Sequence, residues 1–108
     1  MQSPSFPWTA LSANVGIGVL TDGWNLAELP PEPGEARTFT LEVTFAAVFT
    51  AIPIVQVGLS GFDVDQRDSP RITIKAEAIT PAGFQAVIST WATTRVYSVE
   101  FNWLAIGA

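Results

Sequence analysis

The sequence predicts an all-β domain, a six-stranded antiparallel β-sandwich. Three observations lead there. In the best-patterned stretch, Phe39, Leu41, Val43 and Phe45 alternate with Thr38, Thr40, Glu42 and Thr44. That period of two lines one face of a strand and no face of a helix. Eight prolines and eight glycines punctuate the chain, and no stretch carries an amphipathic helix pattern. With 108 residues the chain makes one domain, long enough to bury a core without covalent staples. Six short antiparallel strands in that length stack as two sheets.

Residues 1–12 are expected to form an N-terminal arm and residues 13–108 the sandwich. Pro4 and Pro7 exclude a helix in the arm. Phe6 and Trp8 give it apolar anchors for docking on a neighbour, the plain alternative being a mobile terminus. Residues 13–20 make the first strand, with Val15, Ile17 and Val19 on one face and Gly16 and Gly18 on the other. Two glycines on one face imply close approach of another backbone or ring. Thr21-Asp22-Gly23 has turn chemistry, and Trp24 and Leu26 return to the core. The loop from Leu29 to Glu35 holds three prolines, which make it either a semi-rigid wall or a stiff connection.

The second strand is residues 38–45. An apolar segment, 46–52, then crosses to the next strand and ends at Pro53. Residues 54–59 are apolar on both faces, which suits a central strand or a subunit contact. Residues 62–70 form a charged hinge. Residues 71–80 alternate Arg71, Thr73, Lys75, Glu77 and Ile79 against Ile72, Ile74, Ala76 and Ala78. Pro81-Ala82-Gly83 turns that strand into the C-terminal quarter, read as two antiparallel strands joined by a polar elbow. In the last strand Tyr97, Val99, Phe101, Trp103 and Ala105 share one face, and Val96, Ser98, Glu100 and Asn102 the other.

Composition excludes several functions. The chain has no cysteine and no histidine. Disulfide frameworks, thiolate metal sites and thiol catalysis are ruled out, and so are a serine triad and a histidine switch. Five Lys and Arg against ten Asp and Glu leave a net charge of −5. Five scattered cations make no basic face, so neither nucleic acid nor an anionic membrane surface is an expected partner. No run of eighteen apolar residues occurs, which argues against membrane insertion. The first seven residues lack the basic and apolar regions of a secretory signal. Only 14% of residues are charged while 48% are hydrophobic. So little charge leaves apolar strand faces to be covered by other subunits.

The candidate site is the group Trp91, Arg95 and Tyr97, joined by Arg71 at the start of a strand directly after Pro70. Rings cover the apolar C–H faces of a sugar, and a guanidinium donates to its hydroxyls from a fixed fork. Trp91 lies among Thr90, Ala92, Thr93 and Thr94, small or polar neighbours that suit a ring at a rim. Trp103 and Phe101 belong to a regular buried face instead. Asp63, Asp65 and Asp68 lack the glycine and terminal glutamate of a calcium loop and are read as solvated turn residues; no metal or cofactor is expected. No pair of carboxyls has a recognisable catalytic setting, so the protein is read as a non-enzyme.

In order and spacing these residues resemble the H-type lectin family, the domain shared by discoidins and snail agglutinins. The likeness runs over residues 39–107. It is carried by residues 39–45, Pro53-Ile54-Val55 through Leu59, Phe62-Asp63-Val64-Asp65 and Arg71-Ile72-x-Ile74. It continues through Thr80-Pro81-Ala82-Gly83-Phe84, Thr90-Trp91-Ala92-x-Thr94-x-Val96-Tyr97 and Trp103-Leu104-Ala105-Ile106. The resemblance implies a sandwich that assembles as a homotrimer, with hexamers left open, and a sugar site at the seam between protomers. It implies galactose-type or N-acetylgalactosamine glycans as partners, bound by Arg71, Trp91 and Tyr97, with Gly34 a weaker match. Two positions depart from the family pattern. Ala92 stands where a histidine is frequent, and an expected aspartate falls near Glu35 or Ala36.

The leading expectation is therefore a multivalent, cell-adhesive lectin, acting outside the cell or at its surface. The alternative is a trimeric adhesion or structural tip module of a bacterial or phage-like appendage. That module would have other proteins of a surface or virion-like assembly as partners, and its sugar binding would be altered or lost.

Overall fold

In the computed structural model, residues 8–28, 35–65 and 69–108 are described. They form six strands: β1 Thr9–Gly18, β2 Arg37–Thr44, β3 Ile54–Val64, β4 Ile72–Thr80, β5 Gly83–Thr90 and β6 Val96–Gly107. All the ladders are antiparallel, and they make two sheets of order β1-β6-β3 and β2-β5-β4. The inner faces carry the alternating apolar residues. Ile17, Val99, Phe101, Trp103 and Ala105 from one sheet meet Phe84, Ala86 and Ile88 from the other. Trp103 packs 5.6 Å from both Phe45 and Phe84, ring centre to ring centre. Each large side chain removed from water this way contributes about 1.5–3 kcal/mol. Leu26 is fully buried, and Trp24 packs on the cluster as its position implied.

Three expectations change. First, β5 and β6 are not partners: each is the central strand of a different sheet. Both carry one fully apolar inner face, and two such faces stack on each other instead of lying side by side. The one hairpin within a sheet is β4–β5, closed by Pro81-Ala82. Second, β3 is an edge strand, with β6 in the centre. The outer-face Ile54 is 73% exposed, which leaves its apolar outer face for another surface. Third, β1 starts at Thr9 and ends at Gly18, so residues 9–12, read as arm, pair with residues 104–107.

Tyr97 also departs from the simple alternation. The β3–β6 register slips between Asp63 opposite Ser98 and Val64 opposite Val96, leaving Tyr97 as the extra residue of a bulge. Val96 therefore turns into the core with no exposure, and Tyr97 is half-buried on the other side. One inserted residue reverses the faces of everything before it.

Candidate functional site

Residues 19–28, 69–71 and 91–95 gather at one end of the sandwich, and their positions follow from buried polar residues in the strand ends. Thr90 ends β5 opposite both Arg37 and Ile72. Fully buried, it donates its hydroxyl to the Arg71 carbonyl at 2.5 Å. Trp91 directly follows β5 and Arg71 directly precedes β4, so both lie at the same end of this sheet. Alternation puts both on the outer face, where Ser89 and Thr73 also lie. Trp91 is 37% exposed, a ring at a rim. Arg71 is half-buried, and its Nη1 donates to the Ser69 carbonyl at 2.9 Å.

The loop beyond Trp91 is clamped from below. Arg37 begins β2 and is itself buried; its guanidinium donates to the carbonyls of Glu28, Ala92 and Thr94, the last at 2.6 Å. Burial holds its pKa below the ordinary arginine value, with the charge of Arg95 adding to the effect. Thr94, also buried, donates its hydroxyl to Ser69 at 3.1 Å. Ala92 adopts φ +57°, a left-handed turn that side chains adopt at some cost. The Asp65 amide donates to the Arg95 carbonyl and the Val96 amide to Leu26. The Trp24 indole donates to the Val96 carbonyl at 2.9 Å while its ring packs 5.0 Å from Phe39. A short loop so held presents Trp91 from a rigid support, which is what a weak ligand needs from a rim residue.

On the other sheet, at the same end, Tyr97 lines an open groove of about 490 Å³ with Gly16, Gly18, Phe62, Asp63 and Glu100. Gly18 is required there. A Cβ on it would sit 2.5 Å from the Tyr97 carbonyl, so the close backbone approach expected of these glycines is real at Gly18. At Gly16 a Cβ would meet nothing within 4 Å. The rim is apolar and open: Leu20 is fully exposed and Phe62 is 51% exposed. Asp63 supplies an exposed carboxylate, an acceptor for hydroxyl or N–H donors.

The structure thus places Arg71 and Trp91 at one end of the β4–β5 pair and Tyr97 on the opposite sheet. Arg95 lies between them in sequence, half-buried, with its Nε enclosed and lacking a hydrogen-bond partner. Glu35 is exposed two residues before β2; Gly34, like Asp68, lies outside the described residues. Among the described residues no group of three or more acidic side chains is placed to hold a metal ion. Sequence reasoning missed Arg37. Its parity with Phe39, Leu41 and Val43 was the available signal, because extending that strand back by one step puts an arginine on the core face.

Comparison with known proteins agrees with this architecture. The model of the H-type lectin domain matches residues 40–106. A Fuscovulum blasticum protein called ATP synthase subunits region ORF 7 is 50% identical over 72 residues, 67% of this chain and 63% of its own length. Discoidin-2 of Dictyostelium discoideum is 32% identical over 72 residues, 66% of this chain and 28% of its own. The structure of wild-type discoidin II from the same organism superposes with a TM-score of 0.75 at 27% identity, covering 98% of this chain and 39% of that one. The chain thus spans under two thirds of the length of each of these relatives. With the family model matched over more than half of its residues, the chain belongs to the H-type lectin domain family.

Proposed function

We propose that this domain is a carbohydrate-binding lectin that takes galactose-type or N-acetylgalactosamine glycans at seams between copies in a homotrimer. The Trp91 ring covers the apolar C–H face of the sugar, and the Arg71 fork donates to a pair of its hydroxyls. The Tyr97 hydroxyl donates or accepts from the far side, Glu35 accepts from a sugar hydroxyl, and Gly34 is a weaker candidate position. Ala92, lacking a polar group, leaves the space beside Trp91 open to a bulkier substituent. Three such sites on one assembly raise avidity for a glycan-coated surface without a new contact.

The observation that supports this most directly is the division of the three residues between two flanks of one end. Arg71 and Trp91 both lie at the end of the β4–β5 pair, while Tyr97 lines the groove on the other sheet. A site using both flanks is completed by a second copy. The test is retention on a glycan array by wild type and Arg71→Ala. The expected result is loss of retention with an unchanged melting curve, since the Arg71 guanidinium bond is exposed. Equal retention by the two proteins would remove the proposal.

A further inference from the structure

Arg95 is the only Asp, Glu, Lys or Arg between Glu77 and Glu100, and it shares the loop 91–95 with the rim residue Trp91. The acceptors of that loop are taken up from within the protein. Arg37 donates to the Ala92 and Thr94 carbonyls, and the Asp65 amide donates to the Arg95 carbonyl at 3.0 Å. The cation of the loop is not so provided for. Its Nε is enclosed and has no hydrogen-bond partner. A half-buried guanidinium short of acceptors favours a ligand that brings them.

Arg37 raises the demand for negative charge at the same loop. It is buried, its own Nε also lacks a partner, and the charge of Arg95 reaches it strongly enough to lower its pKa. Among the described residues no carboxylate offsets that repulsion at Arg37. Like charges repel more at low exposure than in water, and an anion beside them is favourable to both. Arg71, at the same end of the β4–β5 pair as Trp91, adds a further cation. The domain as a whole carries a charge of −5, so a polyanion laid across its surface meets repulsion. A lone anionic group held against this loop feels mainly its near neighbours, because salt screens the rest beyond about 8 Å.

We propose that the glycan seated on Trp91 bears an anionic substituent, a sulfate or a carboxylate, which the Arg95 guanidinium receives. The inference rests on the glycan reading and narrows it to acidic galactose-type glycans. A guanidinium presents paired N–H donors to two oxygens of either group. Ala92, between Trp91 and Arg95 in the loop, ends at its Cβ and leaves the substituent room. Arg95 is then a specificity-determining residue, while Trp91 and Arg71 hold the sugar ring itself.

Frontal affinity chromatography of wild type, Arg95→Gln and Arg95→Lys on lactose, sulfated lactose and sialyllactose tests it. Circular dichroism checks the fold of each variant. Wild type is expected to bind at least one of the two acidic glycans about tenfold more tightly than lactose at low salt. That ratio should shrink as salt rises. Arg95→Gln should bring the ratio close to one, and Arg95→Lys should keep part of it. Which acidic glycan gains identifies sulfate or carboxylate as the group received. Equal binding of all three glycans by wild type would overturn the inference and leave the glycan reading standing, as would an acidic preference that survives Arg95→Gln. Retention of none of the three would remove both.

Discussion

The Arg37 guanidinium donates to the carbonyl of Thr94, 57 residues further along the chain, at 2.6 Å. Through the same group, Glu28 and Ala92 are drawn to the start of β2. One buried cation thus fixes the loop that carries Trp91, and its own desolvation is offset by three carbonyl dipoles. Arg37→Met would keep much of the volume and leave those carbonyls without a donor. Each buried acceptor left unpaired costs about 1–3 kcal/mol, partly offset by sparing the guanidinium its burial. The expected net loss is about 2–4 kcal/mol in denaturant unfolding, with an unchanged slope. A lowered folded-state pKa on a base means a cost present below that pKa and lifted only as pH rises toward the unfolded value. That window is strongly alkaline, so the difference between wild type and variant stays flat across neutral pH.

Gly18 and Gly16 lie two residues apart in β1 and should behave oppositely. Gly18→Ala drives a Cβ into the Tyr97 carbonyl and the Ser98 backbone. Overpacking against backbone costs about 1–3 kcal/mol and shifts the Tyr97 bulge. Gly16→Ala meets open space and should stay within about 0.5 kcal/mol of wild type. Thermal melts of the pair decide it; equal losses would refute the close approach.

Trp91 and Trp103 separate rim from core. Trp103→Ala removes a ring packed on Phe45 and Phe84 and should cost about 3–5 kcal/mol. Trp91→Ala should cost less than about 1 kcal/mol, because its ring is more than one-third exposed, while abolishing glycan retention. A Trp91→Ala protein that melts like wild type and still binds glycans would exclude the ring from the site.

The strands, the inner faces and the rim position of Trp91 were legible because they depend on alternation, which each segment carries within itself. Val43 and Phe39 face inward whatever their partners are. That Arg71 and Trp91 share one end of the sheet was legible too, since a short turn joins the strands beside them. Pairing of β6 with β1 and β3 was not, because β5 and β6 carry the same kind of inner face and sequence proximity favoured the wrong neighbour.

By itself the sequence determined an all-β sandwich of six strands, a family and an end rich in loop residues, all set by side-chain period and turn chemistry. Only the tertiary structure decided which sheet each strand joined, that Tyr97 sits on a bulge and that Arg37 is a buried clamp. Those depend on register and on carbonyls from distant segments, and no local stretch of chain contains that information.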